Sequence, residues 1–254
     1  MSNKTPLIGE NVIFTGILRS SEATDLVERL GGNAVITPMI ATKEIVSPHD
    51  LDQLHSCNIY DWLIFTSQSS VKAFHAKMVK YQLDASYFTA KIAVVGIKTA
   101  NAIESLGFSV DFTPTIFSAD IFVQEFPEVV SSTDRCLFVK GDLGKDTITA
   151  GLSNDVQEWT IYETVELEDN KENVKKLLKS GERCSIIFTR PSTAQVFHRS
   201  IGMSFGYELV TVCAIGHITK NFLESMNVTV QVMPEIYTLK DVIVKLAEWK
   251  GRVQ

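Results

Sequence analysis

The chain has 254 residues, of which 45% are hydrophobic and 21% are charged, so it is long enough for one large or two small domains without disulfides or structural metals. Its formal net charge of −6 argues against a general nucleic-acid-binding protein, because such proteins usually carry a basic face. No apolar stretch approaches the ~18 residues of a membrane span and no signal peptide is recognisable, so we expect a cytoplasmic protein that binds neither nucleic acid nor a membrane.

Short apolar runs alternate along the chain with longer amphipathic segments. The strands predicted from the apolar runs cover residues 11–16, 62–67, 91–96, 135–140, 184–189 and 210–216. The helices predicted from the amphipathic segments cover residues 21–30, 69–81, 98–106, 119–126, 145–152, 171–179, 218–226 and 239–249, and another starts near residue 192. Residues 34–45 and 158–169 are predicted to be extended. Short strands that alternate with helices favour parallel sheets covered by helices on both faces.

The chain also contains an internal repeat. Residues 96–120 align without gaps with residues 216–240, at an offset of 120, and eight of these 25 positions are identical. Residues 62–74 align with residues 185–197 at an offset of 123, and five of these 13 positions are identical. All β-α units resemble one another to some degree, but two motifs at a nearly constant offset favour a true duplication.

Each half of the repeat has two turns that are rich in small polar residues, each between a predicted strand and a predicted helix. The first pair is residues 66–70 and 189–193, and the second pair is residues 96–99 and 216–219. Helix N-termini at the carboxyl ends of parallel strands offer N–H groups and a partial positive charge, so these turns could hold carboxylates or phosphates. The alternative is that each Ser or Thr only caps its helix.

Familiar catalytic and cofactor motifs are missing. The turn after residue 95 has one glycine where a dinucleotide fingerprint needs three, no P-loop lysine motif is present, and "FTSQS" is not the G-x-S-x-G of a serine hydrolase. The four cysteines and five histidines show no metal-ligand spacing, and we expect the cysteines to be buried, reduced thiols. We therefore expect neither a cofactor nor a metal.

One tyrosine stands out in the extended segment 158–169. Tyr162 lies in the stretch "IYETVELED", between the two halves of the repeat. Either its ring simply packs in a core, or its hydroxyl lies at a ligand site, where it would donate a hydrogen bond or a proton.

Taken together, these motifs resemble the uroporphyrinogen-III synthase family. The matching stretches are "IFTSQSSVKAF", "VVGIKTANAIESLGF", "KGDLGKDTITAGL", "IYETVELED", "IIFTRPSTAQVF" and "CAIGHITKNFLES", and they follow one another in the family's order along nearly the whole chain. The chain departs from the family pattern at Lys140, where arginine is common, and at His217 and Lys220, where proline and alanine are usual. In the first turn, residues 15–19 lack the usual T-R-P pattern, so an arginine there is displaced or lost.

The resemblance implies two similar parallel-sheet α/β domains of the flavodoxin-like or Rossmann-like type, joined by a two-stranded linker, with a ligand cleft between them. The expected boundaries are a discontinuous domain of residues 1–36 plus 167–254, an inserted domain of residues 42–160, and linker strands at residues 37–41 and 161–166.

The resemblance also implies a function in heme and porphyrin biosynthesis. The family cyclises the linear tetrapyrrole hydroxymethylbilane, with loss of water and inversion of the last (D) pyrrole ring, to give uroporphyrinogen III; this makes it a water-eliminating lyase without a cofactor. By resemblance, Tyr162 would be catalytic, and the substrate-binding residues would be Thr66, Ser67, Gly96, Thr99, Thr189, Ser192, Gly216 and Thr219. We expect a monomer, with a transient handover of substrate from hydroxymethylbilane synthase.

Two other functions remain open at this point. A non-catalytic two-domain clamp that binds an anionic metabolite would need the same turns. A nucleotide-dependent enzyme is disfavoured by the missing glycine fingerprint.

Overall fold

The computed structural model describes residues 5–253, which divide into two units. Unit 1 contains the chain up to Ala41 and again from Val165 onward, and unit 2 is Thr42–Thr164. The chain passes from one unit to the other within strand β3 (Ile40–Glu44) and within strand β7 (Asp155–Glu166). Each unit is built on one sheet with helices packed against it, which is the predicted α/β class.

The sheet of unit 1 has the strand order β2-β1-β8-β9, and all its neighbouring strands run parallel. The strands are β1 (Glu10–Phe14), β2 (Asn33–Ile36), β8 (Arg183–Phe188) and β9 (Val210–Ala214). The helices are α1 (Glu22–Arg29), α7 (Glu168–Lys179), α8 (Pro191–Phe197), α9 (Met203–Phe205), α10 (His217–Ser225) and α11 (Leu239–Val253), and a π-helical turn, His198–Gly202, joins α8 to α9. Ile186 and Phe188 face one core cluster and Ile187 faces the other, because successive side chains of a strand point to opposite faces.

The sheet of unit 2 has the order β3-β7-β6-β4-β5, in which β7, β6, β4 and β5 run parallel to one another. Its remaining strands are β4 (Trp62–Phe65), β5 (Lys91–Val94) and β6 (Arg135–Gly141). Its helices are α2 (Asp50–Ser56), α3 (Gln68–Lys80), α4 (Ile97–Glu104), α5 (Ala119–Glu125) and α6 (Thr147–Gly151), with short 3-10 turns at Cys57–Ile59, Ala85–Tyr87 and Phe126–Glu128. Leu63 and Phe65 face one core cluster, and Trp62 and Ile64 face the other.

The two sheets share one spatial order although their strands follow a different order along the chain. A single bridge adds Val232 beside β9 in unit 1, and a single bridge adds Phe112 beside β5 in unit 2. The order β2-β1-β8-β9-Val232 therefore matches the order β7-β6-β4-β5-Phe112. Along the chain, β1 and β2 precede β8 and β9 in unit 1, whereas the equivalent strands β6 and β7 follow β4 and β5 in unit 2. These parts of the two units are therefore circular permutations of one topology.

The structure differs from the sequence prediction in its short elements. Helix α2 follows a loop and was not predicted, and the helix expected over residues 145–152 is limited to Thr147–Gly151. Helix α7 begins at Glu168 rather than at Lys171, because Glu168 and Asp169 form an acidic first turn that suits the positive end of a helix.

The cysteines are buried and unbonded, as predicted. Burial raises the pKa of the Cys57 and Cys136 thiols to about 12, so both stay protonated near neutral pH. Within residues 5–253, no helix is both long and apolar enough to cross a membrane. No three His, Cys, Asp or Glu side chains of that part of the chain are grouped as metal ligands.

A buried lysine fixes the start of unit 2 to helix α3. The Lys77 side chain is fully buried, and its Nζ lies 2.8 Å from an Asp50 carboxylate oxygen and 3.0 Å from one of Glu44. The same ammonium donates to the Ile45 carbonyl oxygen at 2.6 Å. Three partners satisfy its three donors, so the end of β3 and the first residue of α2 are both tied to α3.

Replacing this lysine should destabilise unit 2 strongly. In Lys77→Met the Asp50 carboxylate, which is 3% exposed, loses its counter-ion, and a buried charge without its partner costs about 3 to 5 kcal/mol. Urea unfolding followed by tryptophan fluorescence measures this loss, because Trp62 and Trp159 both lie in unit 2. Lys72→Met is the matched control, because Lys72 is exposed on the same helix and its loss should cost less than about 0.5 kcal/mol. Equal stability of the two variants would contradict this role of Lys77.

Candidate functional site

The four polar turns lie where parallel strands end. In unit 2 the turn at residues 66–70 follows β4 and the turn at residues 96–99 follows β5, and these two strands are neighbours. In unit 1 the turn at residues 189–193 follows β8 and the turn at residues 216–219 follows β9, which are also neighbours. Each unit therefore presents two adjacent helix N-termini at the carboxyl edge of its sheet, where open α/β sheets bind ligands.

Capping accounts for only one of these turns. Ser67 caps α3, since its Oγ accepts a hydrogen bond from the Ser70 N–H at 3.1 Å. The residues before α4, α8 and α10 are Gly96, Arg190 and Gly216, and no side chain caps these three helices. The first N–H groups of α4 and α10 are therefore left for another acceptor, whereas α8 begins with Pro191, which has no N–H.

Most of the predicted binding hydroxyls also lack a protein partner. Within residues 5–253, no hydrogen bond is formed by the side-chain hydroxyl groups of Thr66, Thr99, Thr189, Ser192 and Thr219. Thr99 and Thr219 are only 5% and 3% exposed, and they occupy equivalent positions of the repeat. None of these five hydroxyls caps a helix, so the alternative that these residues serve only as caps is wrong for them.

Tyr162 lies beside the α3 turn in unit 2. Its hydroxyl oxygen is 3.4 Å from the Ser67 Oγ, a long contact between residues that are 95 positions apart. Its ring packs against the core cluster that contains Phe65, so the residue has both properties considered for it: a packed ring and a hydroxyl at a polar turn. The ring fits there because Gly141 lacks a side chain; a Cβ on Gly141 would lie 2.6 Å from the Tyr162 hydroxyl oxygen.

A pocket of about 210 Å³ lies in unit 1, at the turns after β8 and β9. It is lined by Thr189, Arg190, Pro191, Ile215, Gly216, His217, Ile218, Thr219 and Tyr237. Three of the predicted residues, Thr189, Gly216 and Thr219, thus meet in one cavity, whereas Ser192 does not line it. The N-terminus of α10 and the Arg190 side chain make the pocket suitable for an anion.

Sequence reasoning missed Arg190 and Tyr237 as pocket residues. Arg190 is visible inside the turn "FTRPS", but the serines and threonines around it are the stronger signal for a polar turn. The repeat pairs Tyr237 with Phe117. This pairing of two aromatic residues could have indicated that an aromatic side chain packs against the glycine of the turn. A Cβ on Gly216 would lie 2.8 Å from the Tyr237 ring, so this ring rests directly on the turn.

Lys140, at a position where the family pattern usually has arginine, forms ion pairs inside unit 2. Its Nζ lies 3.0 Å from the Glu158 carboxylate and 3.4 Å from that of Asp146. A hydrogen bond from Thr149 and the Lys140 ammonium together lower the pKa of Glu158. The lysine charge is therefore balanced by protein carboxylates.

Comparisons with known proteins agree on one family. A family model described as uroporphyrinogen-III synthase HemD matches residues 21–243. The porphyrin biosynthesis protein HemD of Ruminiclostridium josui is 30% identical over 256 residues, which cover 98% of this chain but only 50% of that protein, so the chain spans half its length. The uroporphyrinogen-III synthase of Synechococcus elongatus is 28% identical over 258 residues, which cover 96% of this chain and 97% of that protein.

The fold is also shared with a solved structure. A mutant uroporphyrinogen III synthase of Thermus thermophilus superposes with a TM-score of 0.68 and 16% identity, over 96% of this chain and 99% of that chain.

The packing of Tyr162 on Gly141 leads to a prediction. In Gly141→Ala the added Cβ should push the ring away from Ser67, and overpacking of this kind lowers the free energy of unfolding by about 1 to 3 kcal/mol. Gly96→Ala is the control, because its backbone is extended and its added Cβ would meet only the Phe117 Cβ at 3.9 Å. A crystal structure and a urea titration of each variant measure both effects. An undisturbed Tyr162 in Gly141→Ala would contradict the prediction.

Proposed function

This chain belongs to the uroporphyrinogen-III synthase family, and from that membership we propose that it cyclises hydroxymethylbilane to uroporphyrinogen III, with loss of water and inversion of the last pyrrole ring. This reaction would make the protein a hydro-lyase. The observation that best supports this function is that uncapped helix N-termini and unpaired hydroxyls lie at the carboxyl edge of each sheet, together with a tyrosine hydroxyl in unit 2.

The substrate supplies most of the chemical driving force. Electron density from a pyrrole nitrogen expels the hydroxyl group, so the C–O bond breaks and the oxygen leaves as water once it has received a proton. Closure with inversion then forms two C–C bonds and breaks one. The methylene carbon that lost its hydroxyl bonds to the α-carbon of the last pyrrole that already carries the chain, and the bond from that α-carbon to the preceding methylene breaks. The released methylene bonds to the other α-carbon of the last pyrrole, which loses its proton. The protein must hold a flexible chain in the reactive conformation, which is catalysis by proximity and orientation.

Tyr162 is the residue we propose to assist departure of the hydroxyl. Its ring is held by the core cluster around Phe65 and by Gly141, so the hydroxyl is positioned by packing and not by a flexible stem. A positioned hydroxyl next to the leaving oxygen would donate a hydrogen bond that strengthens as negative charge develops there.

In this proposal the polar turns bind the carboxylate groups of the substrate. A pocket of about 210 Å³ is smaller than the roughly 300 to 1,000 Å³ of a complete small-molecule site, so it suits one carboxylate side arm and not a whole tetrapyrrole. With a net charge of −6, the chain must attract an anionic substrate locally. The N-termini of α4 and α10 and the Arg190 guanidinium are local sources of positive potential.

The assignment of Tyr162 predicts a loss of turnover without a loss of folding. Tyr162→Phe should lower kcat about 10²- to 10⁴-fold, the range that a positioned proton donor contributes, and should change KM little. The assay adds hydroxymethylbilane and separates the type III product from the type I product that forms spontaneously. Tyr60→Phe is the matched control, because Tyr60 lies in the same unit just before β4, at the opposite end of that strand from the turn. Type III formation by Tyr162→Phe at the wild-type rate would exclude this role.

A milder effect is expected at the unit 1 pocket. Thr219→Ala should raise KM about tenfold, because a hydrogen bond to a charged group contributes about 1.5 to 3 kcal/mol. Thr211→Ala is the control, because Thr211 is a similarly buried threonine within β9 that does not line the pocket. Unaltered KM and kcat in Thr219→Ala would remove Thr219 from the binding site.

The same assay separates the enzyme from a binding clamp. Thermal stabilisation by hydroxymethylbilane with no type III product above the spontaneous background would indicate binding without catalysis. Type III product above that background identifies the synthase.

A further inference from the structure

We propose that Tyr237 is a substrate-binding residue of the unit 1 pocket, and that His217 positions its hydroxyl to donate to a substrate carboxylate. The inference rests on the proposed function and concerns a departure from the family pattern, since proline is usual at the position of His217. It assigns the pocket to a carboxylate group that accepts a hydrogen bond from Tyr237.

The geometry around Gly216 brings the two side chains together. His217 is the first residue of α10, and its Nδ1 lies 3.1 Å from the Tyr237 hydroxyl oxygen. The Tyr237 ring rests on Gly216 and is 50% exposed, so the hydroxyl lies at the rim of the pocket that both residues line.

The hydrogen bond between these residues decides where the tyrosine hydrogen points. A tyrosine hydroxyl has one hydrogen to donate and can also accept. When Nδ1 carries a hydrogen, it donates to the Tyr237 oxygen, and the hydroxyl hydrogen must point to another acceptor. The tyrosine hydroxyl then offers one free donor to a bound carboxylate.

The repeat provides an internal control for this hydrogen bond. The positions equivalent to His217 and Tyr237 are Ile97 and Phe117 in unit 2, and neither can form it. The local backbone is nevertheless the same: Ser118 N–H donates to the Ile116 carbonyl at 2.7 Å, and Thr238 N–H donates to the Ile236 carbonyl at 2.8 Å. The turn and the loop thus fold without the polar pair, so folding does not account for its presence in unit 1.

The charges around the pocket also fit an anion. Arg190 lines it from the start of α8. On α10, Lys220 is partly neutralised by Glu224 at 3.7 Å, and Glu235 is exposed in the loop that carries Tyr237. Thr219 adds a second observation that points to a ligand: it lines the pocket, it is 3% exposed, and its hydroxyl has no partner among the described residues.

The test replaces His217 and Tyr237 with the residues that unit 2 has at the equivalent positions. Tyr237→Phe and His217→Ile should each raise KM for hydroxymethylbilane about tenfold, the effect of one lost charge-assisted hydrogen bond, with kcat and the type III fraction unchanged.

A second histidine–tyrosine pair in the same unit is the matched control. His198 Nδ1 lies 3.2 Å from the Tyr207 hydroxyl oxygen, and neither residue lines the pocket. Tyr207→Phe should leave KM unchanged. Thermal unfolding of each variant checks that it is folded, and the double variant His217→Ile/Tyr237→Phe carries only residues that unit 2 already tolerates at these positions.

The outcomes separate the inference from the function on which it rests. If the wild type forms no type III product, the proposed function fails. If the wild type is active and the two variants keep its KM, the inference alone is overturned. A rise in KM that is equally large in Tyr207→Phe would also overturn it, because the effect would then not belong to the pocket.

Discussion

Parallel pairing of the strands within each unit is the constraint on which the candidate site depends. Because β4 and β5 run in the same direction, and β8 and β9 likewise, each pair ends at one edge of its sheet and each strand is followed by a helix whose N-terminus lies at that edge. The direction of the strands alone therefore places two helix N-termini side by side in each unit, whatever residues the turns contain. Their side chains then determine whether the turn is closed by its own cap, as at Ser67, or left open, as at Gly96 and Gly216.

The elements were predictable because their signals are local. Strands β1, β4, β5, β6, β8 and β9 are buried along almost their whole length and read as continuous apolar runs. The turns that follow β4, β5, β8 and β9 are marked by Ser, Thr and Gly. The approach of Tyr162 to Ser67 was not predictable from the residues alone, because it joins positions 95 apart and depends on the spatial order β7-β6-β4. The burial of Lys77 against Asp50 could not be predicted either, since helical periodicity gives no reason to place an ammonium group in a core.

Circular permutation explains why the repeat and the structural units have different boundaries. The repeat pairs residues 62–74 with 185–197 and residues 96–120 with 216–240, which are the β4-α3, β5-α4 part of unit 2 and the β8-α8, β9-α10 part of unit 1. Strands β1 and β2 lie before this part in unit 1, whereas the equivalent strands β6 and β7 lie after it in unit 2. The sequence alignment can therefore detect only the half of each unit that keeps its order along the chain.

The duplicated turns have kept their backbone and changed their chemistry. Ile97 and Phe117 in unit 2 correspond to His217 and Tyr237 in unit 1, and Ser67 corresponds to Arg190. Unit 1 therefore has a cation and a histidine–tyrosine pair at the pocket where unit 2 has a self-capped helix and a nearby tyrosine from β7. The duplication supplied equivalent turns in both units, and the side chains at these turns have since diverged.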